Sequence, residues 1–286
     1  SPEWRHTISS NIISGATVNR IPLIRFPDFP LRLPPLPVQR RIADILSAYD
    51  DLIENNTKRI KILEEMARSL YREWFVSFRF PGHEKLKMVS SALGKVPEGW
   101  EVTTLGSHAH ILMGQAPKSE FYNVHGEGLP FHQGVTHFGA HFPTHRAWCT
   151  SLARVAHAGD VLFSVRAPVG RLNFAPDPLI VGRGLAAIRH KKDAQALAWL
   201  QLDERVKEDS MGGGTIFKAV TKDDVHKIPW LEPSSDIRDR FEASVRPVLR
   251  QIETITKKHG VLAATRDLLL PRLISGEVPV PLNSDV

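Results

Sequence analysis

The sequence contains one cysteine, Cys149, among 286 residues. A single thiol cannot build a disulfide framework within the chain, and this cysteine usage is typical of a reducing cytoplasm. The sequence also has no run of 18 apolar residues, so it predicts no membrane-spanning helix. We find no basic segment followed by an apolar leader. We therefore expect a cytoplasmic protein that has no membrane partner.

Motifs for the common kinds of enzyme chemistry are also missing from the sequence. It has no Gly-x-Gly-x-x-Gly after a strand, no P-loop and no Gly-x-Ser-x-Gly elbow. It has no Asn/Asp-Pro-Pro-Phe/Tyr tetrapeptide of the kind that DNA amino-methyltransferases carry, and no Asp followed by the Glu-x-Lys of a nuclease site. We therefore expect no catalytic residue on this chain.

What the sequence does contain is one segment that occurs twice. Residues 14–75 and 213–274 align with an offset of about 199, which pairs Pro30 with Pro229 and Pro34 with Pro233. Each copy is predicted to have a turn of small residues, a short apolar strand that ends at proline, and a long helix. This period is too long for a solenoid, whose repeats span roughly 20–50 residues. The sequence therefore predicts a duplicated unit of one domain and one helix.

Both long helices carry an apolar stripe with alternating spacings of four and three, which is typical of a coiled-coil seam. The first stripe consists of Ile42, Leu46, Tyr49, Ile53, Asn56, Ile60, Leu63, Ala67, Leu70 and Trp74. The second consists of Phe241, Val245, Val248, Ile252, Ile255, His259, Leu262, Arg266, Leu269 and Leu273. Two stripes of matched length can bury each other, so we expect an antiparallel coiled coil. The alternative is two ordinary amphipathic helices packed on a globular core.

Proline and glycine predict where the helices begin and how regular they are. Pro37 suits the first turn of the first helix, because its missing N–H would be unpaired there in any case. Pro247 and Gly260 lie inside the second stripe. Both residues disfavour a helix interior, so we expect the second helix to be kinked or to begin late.

Between the copies, residues 98–232 are predicted to form a mixed α/β domain with a curled sheet. Short β-rich segments are separated by turn residues, and residues 194–210 are predicted to form a helix that ends at Gly212-Gly213-Gly214. The predicted strands are Glu101–Leu105, His108–Met113, Arg154–Ala156, Val161–Val165, Gly170–Phe174 and Leu185–Arg189.

Charge and histidine content point to nucleic acid more than to metal. The formal net charge is +6, and residues 110–192 hold nine Lys and Arg against four Asp and Glu. A basic face fits phosphate binding, although a merely solvated surface would show the same charge. His137, His141 and His145 have helical spacing, but Gly139 and Pro143 make a helix there improbable. We therefore predict no metal site.

Four segments in this order resemble the specificity subunits of type I restriction–modification systems. These segments are LPPLPVQRRI at 33–42, MGQAP at 113–117, GDVLFSVRAPVG at 159–170 and LLPRLISGEV at 269–278. The resemblance covers nearly the whole chain. Val38 stands where the family has an acidic residue, and the second domain–helix junction, between Leu231 and Phe241, is degenerate.

This resemblance implies a fold and a division of the chain. The fold would be α+β, with a target-recognition domain flanked by two long helices that form an antiparallel coiled coil. Residues 1–33 would be the remnant of a first recognition domain, and residues 34–80 the first long helix. A linker at 81–97, the recognition domain at 98–232, the second helix at 233–276 and a tail at 277–286 would follow. Because so little of the first domain is present, the chain is expected to be either a truncated form or a half-subunit.

The resemblance also implies a non-catalytic role. The recognition domain would read one half of a bipartite double-stranded DNA site, and the helices would act as a ruler that sets the spacer. A helix of roughly 33 residues spans ~50 Å, about one and a half turns of DNA. DNA adenine methyltransferase subunits would dock on the helices and hold S-adenosylmethionine, so no cofactor is expected on this chain. A restriction/motor subunit is an expected partner, and a second copy of the chain could pair through the long helices.

Base reading favours Arg on guanine and Gln on adenine in the major groove. We therefore predict base or backbone contacts by Gln115, Gln133, Arg166, Arg171 and Arg183, and phosphate contacts by Lys118, Ser119 and Lys218. For Arg166 and Arg171, a structural salt bridge is an equally good interpretation. Two other functions stay open. One is the C-terminal recognition module of a fused restriction/methylation enzyme, and the other is a coiled-coil protein-interaction scaffold.

Overall fold

The computed structural model describes residues 2–15, 18–30, 33–152, 154–206 and 220–281. The chain divides into two compact units. Unit 1 comprises Ser1–Ile60 with Thr254–Val286, and unit 2 comprises Lys61–Glu253. The predicted domain limits are not tested by this division and stay predictions. Among the described residues, no helix combines the length and the apolarity that a bilayer span requires.

Unit 1 is built from helical segments. It contains helix α1 (Pro2–Ser10), the first part of the long helix α2 (Leu36–Tyr71) and the last part of a second long helix, which spans Ser235–Ser275. Pro37 lies in the first turn of α2, as predicted. Within unit 1, the guanidinium of Arg266 lies 2.6 Å from the Asp50 carboxylate.

The two long helices predicted from the heptad stripes are confirmed. Every stripe position from Ile42 to Trp74, and from Phe241 to Leu273, is buried or half-buried, whereas most of the positions between them are exposed. The polar stripe residue Asn56 is 9% exposed. Burial of one stripe stabilises helices of this length. Pairing of the stripes as an antiparallel coiled coil stays a prediction.

The expectation that the second helix begins late is wrong, and the expected kink stays a prediction. The helix at Ser235–Ser275 has 41 residues and continues through Pro247 and Gly260. Both residues are exposed, so the carbonyl group that Pro247 leaves unpaired can be hydrated. The burial of Val245, Ile252 and Ile255 on the opposite stripe outweighs the weak local propensity.

The predicted short strand of the first copy is also wrong, because Leu23–Asp28 form a 3-10 helix. In the second copy the corresponding strand does form, at Pro229–Glu232, where it pairs with Glu101–Thr104. A strand requires a partner for its N–H and C=O groups. In the first copy the backbone bonds locally instead, with Arg25 N–H donating to Pro22 O at 3.0 Å and Phe29 N–H to Phe26 O at 3.2 Å.

Unit 2 contains the mixed α/β domain, which confirms the predicted fold class. Its strands and short helices in chain order are β1 (Met88–Ser91), β2 (Gly94–Pro97), β3 (Glu101–Thr104), α3 (Leu105–His108), β4 (Ala109–Met113), β5 (Tyr122–Asn123), β6 (Leu129–His132), β7 (Trp148–Cys149), β8 (Val155–Ala156), β9 (Val161–Ser164), β10 (Leu172–Phe174), β11 (Leu179–Val181), β12 (Leu185–His190), α4 (Gln195–Arg205), α5 (Lys222–His226) and β13 (Pro229–Glu232). The second long helix, α6 (Ser235–Ser275), begins in this unit.

Two sheets carry most of these strands. One has the order β10-β9-β12-β4, and its neighbouring strands are all antiparallel. The other has the order β5-β7-β6-β11-β8, in which only β6 and β11 are parallel. Strands β9 and β11 consist entirely of buried residues, as expected for short apolar runs. Strands β4, β6, β9 and β11 end at neighbouring loops, and these loops form the candidate site.

The core of unit 2 joins the domain to the long helices. Phe241 of α6 packs edge-on against Phe75, with ring centroids 4.7 Å apart, and also contacts Tyr71. Trp100, which follows β2, stacks on Phe80. These rings are all less than a tenth exposed. The domain is therefore held rigidly on this part of the helices.

Candidate nucleic-acid interface

A three-residue turn between β11 and β12, Gly182-Arg183-Gly184, organises one end of the two sheets. Gly182 N–H donates to His132 O at 2.8 Å, and Gly184 N–H donates to Gln133 O at 2.9 Å. Val165 N–H donates in turn to Gly184 O at 3.0 Å. The ends of β6, β9 and β11 therefore meet at this turn.

The β4 end joins the same turn. Gly114 N–H donates to Leu185 O at 2.9 Å, and Gln115 N–H donates to Val181 O at 3.1 Å. Gln115, Gln133, Arg166 and Arg183 come from four different loops. Arg183 belongs to the turn, Gln133 is bonded to it, Arg166 follows Val165, which is bonded to it, and Gln115 is bonded to Val181, which precedes it. We call this region, with Arg171 of the neighbouring hairpin, the reading edge.

Glycine is needed at the reading edge because the backbones approach closely. A Cβ atom on Gly182 would lie 2.6 Å from Gln133 Cα, and one on Gly184 would lie 2.6 Å from Gln133 O. A Cβ on Gly114 would meet the carbonyl of Gly182. The close approach fixes the backbone of Gln133 against the turn and leaves its side chain at the surface.

The side chains of the reading edge suit hydrogen bonding to an external partner. Gln115, Gln133, Arg166 and Arg183 are exposed, and Arg171 is half-buried. Within the part of the chain that the structure describes, Arg166, Arg171 and Arg183 form no ion pair. Arg189, in contrast, lies 2.6 Å from the buried Asp160. The salt-bridge interpretation of Arg166 and Arg171 therefore finds no support among the described residues.

Hydrogen bonds of Ser164 stabilise the hairpin that carries Arg166 and Arg171. The Ser164 hydroxyl donates to Pro168 O at 2.6 Å and accepts from Arg171 N–H at 2.8 Å. Gly170 N–H donates to Ser164 O at 3.0 Å. Because Ser164 is fully buried, this network presents the two arginines on a preorganised loop.

The predicted phosphate contacts are spread more widely. Lys118 is largely exposed and lies 3.8 Å from the exposed Glu120. Ser119 begins a 3-10 turn that leads to Tyr122, whose hydroxyl donates to Pro117 O at 2.7 Å. Burial raises the pKa of Tyr122, and the nearby positive charge of Arg183 opposes this shift. Lys218 and the three glycines lie outside the described residues. Helix α4 ends at Arg205, before the predicted limit at residue 210.

Two histidines next to the reading edge were not among the predicted site residues. His132, the last residue of β6, is 2% exposed, and its Nε2 lies 2.9 Å from Nδ1 of His145. Burial lowers the pKa of His132 to about 4, and the neighbouring His145 and His137 add to the effect. Burial also lowers the pKa of His145. The sequence signals were the density of histidine and the spacing of His137, His141 and His145, and neither identifies the pair of His132 with His145.

A second buried cluster, made of His108, His190 and Glu232, brings three metal-ligating groups within 4.8 Å of one another. Its carboxylate already accepts hydrogen bonds from Trp230 Nε1 at 2.8 Å and Arg238 at 3.2 Å. His190 Nδ1 accepts from the Lys192 N–H at 3.2 Å, which leaves Nε2 to donate to Glu232 at 3.1 Å. These groups saturate one another as a structural network, which competes with metal binding.

Comparison with known proteins gives a consistent set of matches. Residues 7–65 match the family described as Type I restriction modification DNA specificity domain. The chain is 34% identical over 284 residues to a protein of Methanocaldococcus jannaschii named Putative type I restriction enzyme MjaX specificity subunit, covering 96% of this chain and 64% of that relative. The chain spans 64% and 59% of the lengths of two of the curated relatives it matches, less than two thirds of each.

Solved structures are similar over most of the chain. One, described as the structural basis of complex assembly and conformational transition of the type I R-M system, is 28% identical with a TM-score of 0.50. It covers 96% of this chain and 68% of the solved chain. The S subunit from M. genitalium is 18% identical with a TM-score of 0.58, covering 96% of this chain and 70% of that one, and it supports the fold alone.

Proposed function

We propose, from the premise that this chain belongs to the family of type I restriction–modification specificity subunits, that its mixed α/β domain binds double-stranded DNA and reads one half of a bipartite target. The observation that carries this proposal is the reading edge. Five side chains suited to base or phosphate contacts come from four loops to the surroundings of one turn, and its three arginines have no ion pair among the described residues.

The chemistry of this edge fits sequence reading. Arginine can donate two hydrogen bonds to guanine, and glutamine can both donate to and accept from adenine in the major groove. The hydrogen bonds around the Gly182–Gly184 turn fix the backbone from which these side chains project. Less backbone entropy is therefore lost when the domain binds DNA. The chain itself would be non-catalytic, and S-adenosylmethionine would be held by a methyltransferase partner.

DNA binding can be tested by fluorescence anisotropy with a pool of random duplexes and a salt titration. We expect the logarithm of the affinity to fall linearly with the logarithm of salt concentration between roughly 50 and 200 mM. An Arg166→Ala/Arg183→Ala variant should bind more weakly and show a shallower slope. A protein that shows no salt-dependent binding would contradict the proposal and favour a scaffold without DNA affinity.

The target itself can be found by co-expressing the chain with its methyltransferase and mapping methylated adenines. A palindromic bipartite site would indicate that two copies of the chain pair, as expected of a half-subunit. The long helices would then set the spacer between the half-sites. Methylation by the chain alone would contradict a non-catalytic role and favour a fused enzyme.

A groove on unit 2 supports docking of the methyltransferase on the long helices. The groove has a volume of about 520 Å³ and lies between α2 and α6, with Ile62, Met66 and Val248 among its lining residues. Ile62 and Met66 are more than half exposed although they are apolar. Glu65 also lines it, whereas Glu73 is already paired with Arg79 at 2.6 Å, so a partner helix with an apolar face and a basic residue opposite Glu65 would fit.

Docking can be tested by co-purification. Met66→Glu should abolish co-purification with the methyltransferase, because a charge would be buried in the apolar contact. Leu52→Glu is the matched control, since Leu52 is an exposed leucine of the same helix outside the groove. Equal retention of the partner by both variants would show that the groove is not the docking site.

A further inference from the structure

His145, which the sequence marked only as one of three histidines spaced by four, contacts the buried His132 next to the reading edge, and its role rests on the proposed function of that edge. In the register of β6 with β7, Leu129 is opposite Cys149 and Pro130 is opposite Trp148. Phe131 N–H then donates to Ala147 O at 2.8 Å. His145 lies two residues before Ala147, and its ring is bonded to His132, whose carbonyl accepts from Gly182 N–H at 2.8 Å. His145 is therefore next to the reading edge.

The hydrogen bond between the two imidazoles limits the tautomers that His145 can adopt. One ring must donate and the other accept, because the His132 Nε2 to His145 Nδ1 distance is 2.9 Å. His132 Nδ1 is buried and has no partner. If His132 Nε2 accepted, Nδ1 would carry an unpaired buried N–H, which proteins rarely tolerate. His132 is therefore the donor, and its Nδ1 is a bare lone pair.

It follows that His145 accepts at Nδ1 and carries its proton on Nε2. His145 is half-buried, and among the described residues its Nε2 has no hydrogen-bond partner. Burial lowers the pKa of both rings, which favours the neutral form of each, although the carboxylate of Asp177 acts against the shift at His145. The surface therefore carries a neutral N–H donor whose tautomer is fixed by a buried neighbour.

We propose that His145 is a specificity-determining DNA contact that donates one hydrogen bond from Nε2 to an acceptor on a base edge, and that His132 is the positioning residue that fixes its tautomer. Purine N7, guanine O6 and thymine O4 are acceptors in the major groove, whereas cytosine presents a donor there. A fixed donor would therefore discriminate against cytosine at one position. A neutral donor adds little to phosphate attraction, so its effect is on sequence preference.

Position-by-position preference can be compared by selecting bound duplexes from a randomised pool with the wild-type protein, His145→Ala and His157→Ala. His157 is an exposed histidine of the same domain and serves as the control. We expect His145→Ala to lose preference at one position and to bind the selected target on the order of 3- to 10-fold more weakly, the effect of one hydrogen bond. The salt slope should not change.

At that position, the acceptor atom can be removed from the DNA, with a 7-deazapurine for a purine or 5-methyl-2-pyrimidinone for thymine. The wild-type protein should lose affinity, and His145→Ala should show no further loss. A uniform loss over all sequences would overturn the inference, and so would unchanged preferences. If wild-type protein shows no salt-dependent DNA binding at all, it is the proposed function that fails.

The tautomer can be measured without DNA, by ¹⁵N NMR of the histidine side chains at neutral pH. We expect His145 to carry its proton on Nε2 in the wild-type protein, and to show a mixture of tautomers in His132→Phe. The Nδ1–H tautomer in the wild-type protein would overturn the assigned role of His132. This readout separates a positioning role from a loss of folding, which would broaden or collapse all histidine signals.

Discussion

His141 Nε2 lies 3.2 Å from the Glu64 carboxylate, which ties the loop between β6 and β7 to the long helix α2. His141 is 4% exposed, and its carbonyl accepts from Phe174 N–H at 2.7 Å. Glu64 also accepts from Arg68, which in turn lies 2.8 Å from Asp203 of α4. A polar network therefore links the helix, α4 and the loop that contains His145.

Replacing Glu64 by alanine should destabilise the protein by about 1–3 kcal/mol, because buried His141 would lose its hydrogen-bond partner. The pKa of His141 is lowered chiefly by burial, and Glu64 acts against this shift. Loss of the carboxylate should therefore lower the pKa further, as NMR titration would show. Glu65→Ala is the control, because Glu65 is exposed on the same helix. Equal losses of stability in urea for the two variants would contradict this role.

Gly182→Ala should destabilise unit 2 by roughly 1–3 kcal/mol, because the new Cβ would lie 2.6 Å from Gln133 Cα and would force the strands apart. Gly134→Ala is the matched control. Its Cβ would meet no atom within 4 Å, and its φ of −172° is extended backbone that alanine accepts. Urea denaturation should separate the two variants. A Gly182→Ala protein as stable as the control would show that the turn can relax.

Gln133→Ala and Lys118→Ala should affect DNA binding in different ways. Gln133 is fixed to the turn at the reading edge, so its loss should change sequence preference at one position. Lys118 is 81% exposed at its side chain, so its loss should weaken binding to all sequences and reduce the salt slope by about 1. Randomised-pool selection and salt titration measure the two effects. Identical behaviour of the variants would refute this division of roles.

Acid should destabilise the protein through His132. Its pKa in the folded state is about 4, below the ordinary value of 6.5, so the unfolded chain binds the proton first as the pH falls. The stability due to neutral His132 is complete above pH 6.5 and is lost between about 6.5 and 4, a change of up to roughly 3 kcal/mol.

The acid effect can be measured as the free energy of unfolding in urea at pH 7 and at pH 4.5. His132→Gln should show a smaller decline over this range than the wild-type protein. His125→Gln, a change at an exposed histidine of the same domain, should retain the full decline. If all three proteins decline equally, the acid sensitivity comes from other groups.

The spacing of apolar residues was sufficient to predict those elements whose formation depends on residues close together in the sequence. The stripe from Ile42 to Trp74 predicted a helix, because one side of a helix can be buried only if apolar residues recur at that spacing. Strands β9 and β12 were predicted closely, since each is a buried apolar run between turn residues. Where the stabilising contacts come from residues distant in sequence, the local pattern gave wrong predictions. It predicted a strand at Leu23–Asp28 and a late start for α6.

The candidate site divides in the same way. Residue type alone marked Gln115, Gln133, Arg166 and Arg183 as possible DNA contacts, because base edges are read by these side chains. Only the tertiary structure brought them to one turn and set Lys118 apart as a largely exposed residue. Hydrogen bonds between segments far apart in sequence determine this arrangement. The same is true of His132 and His145, whose pairing depends on strand register and on the exclusion of water, neither of which can be read from composition.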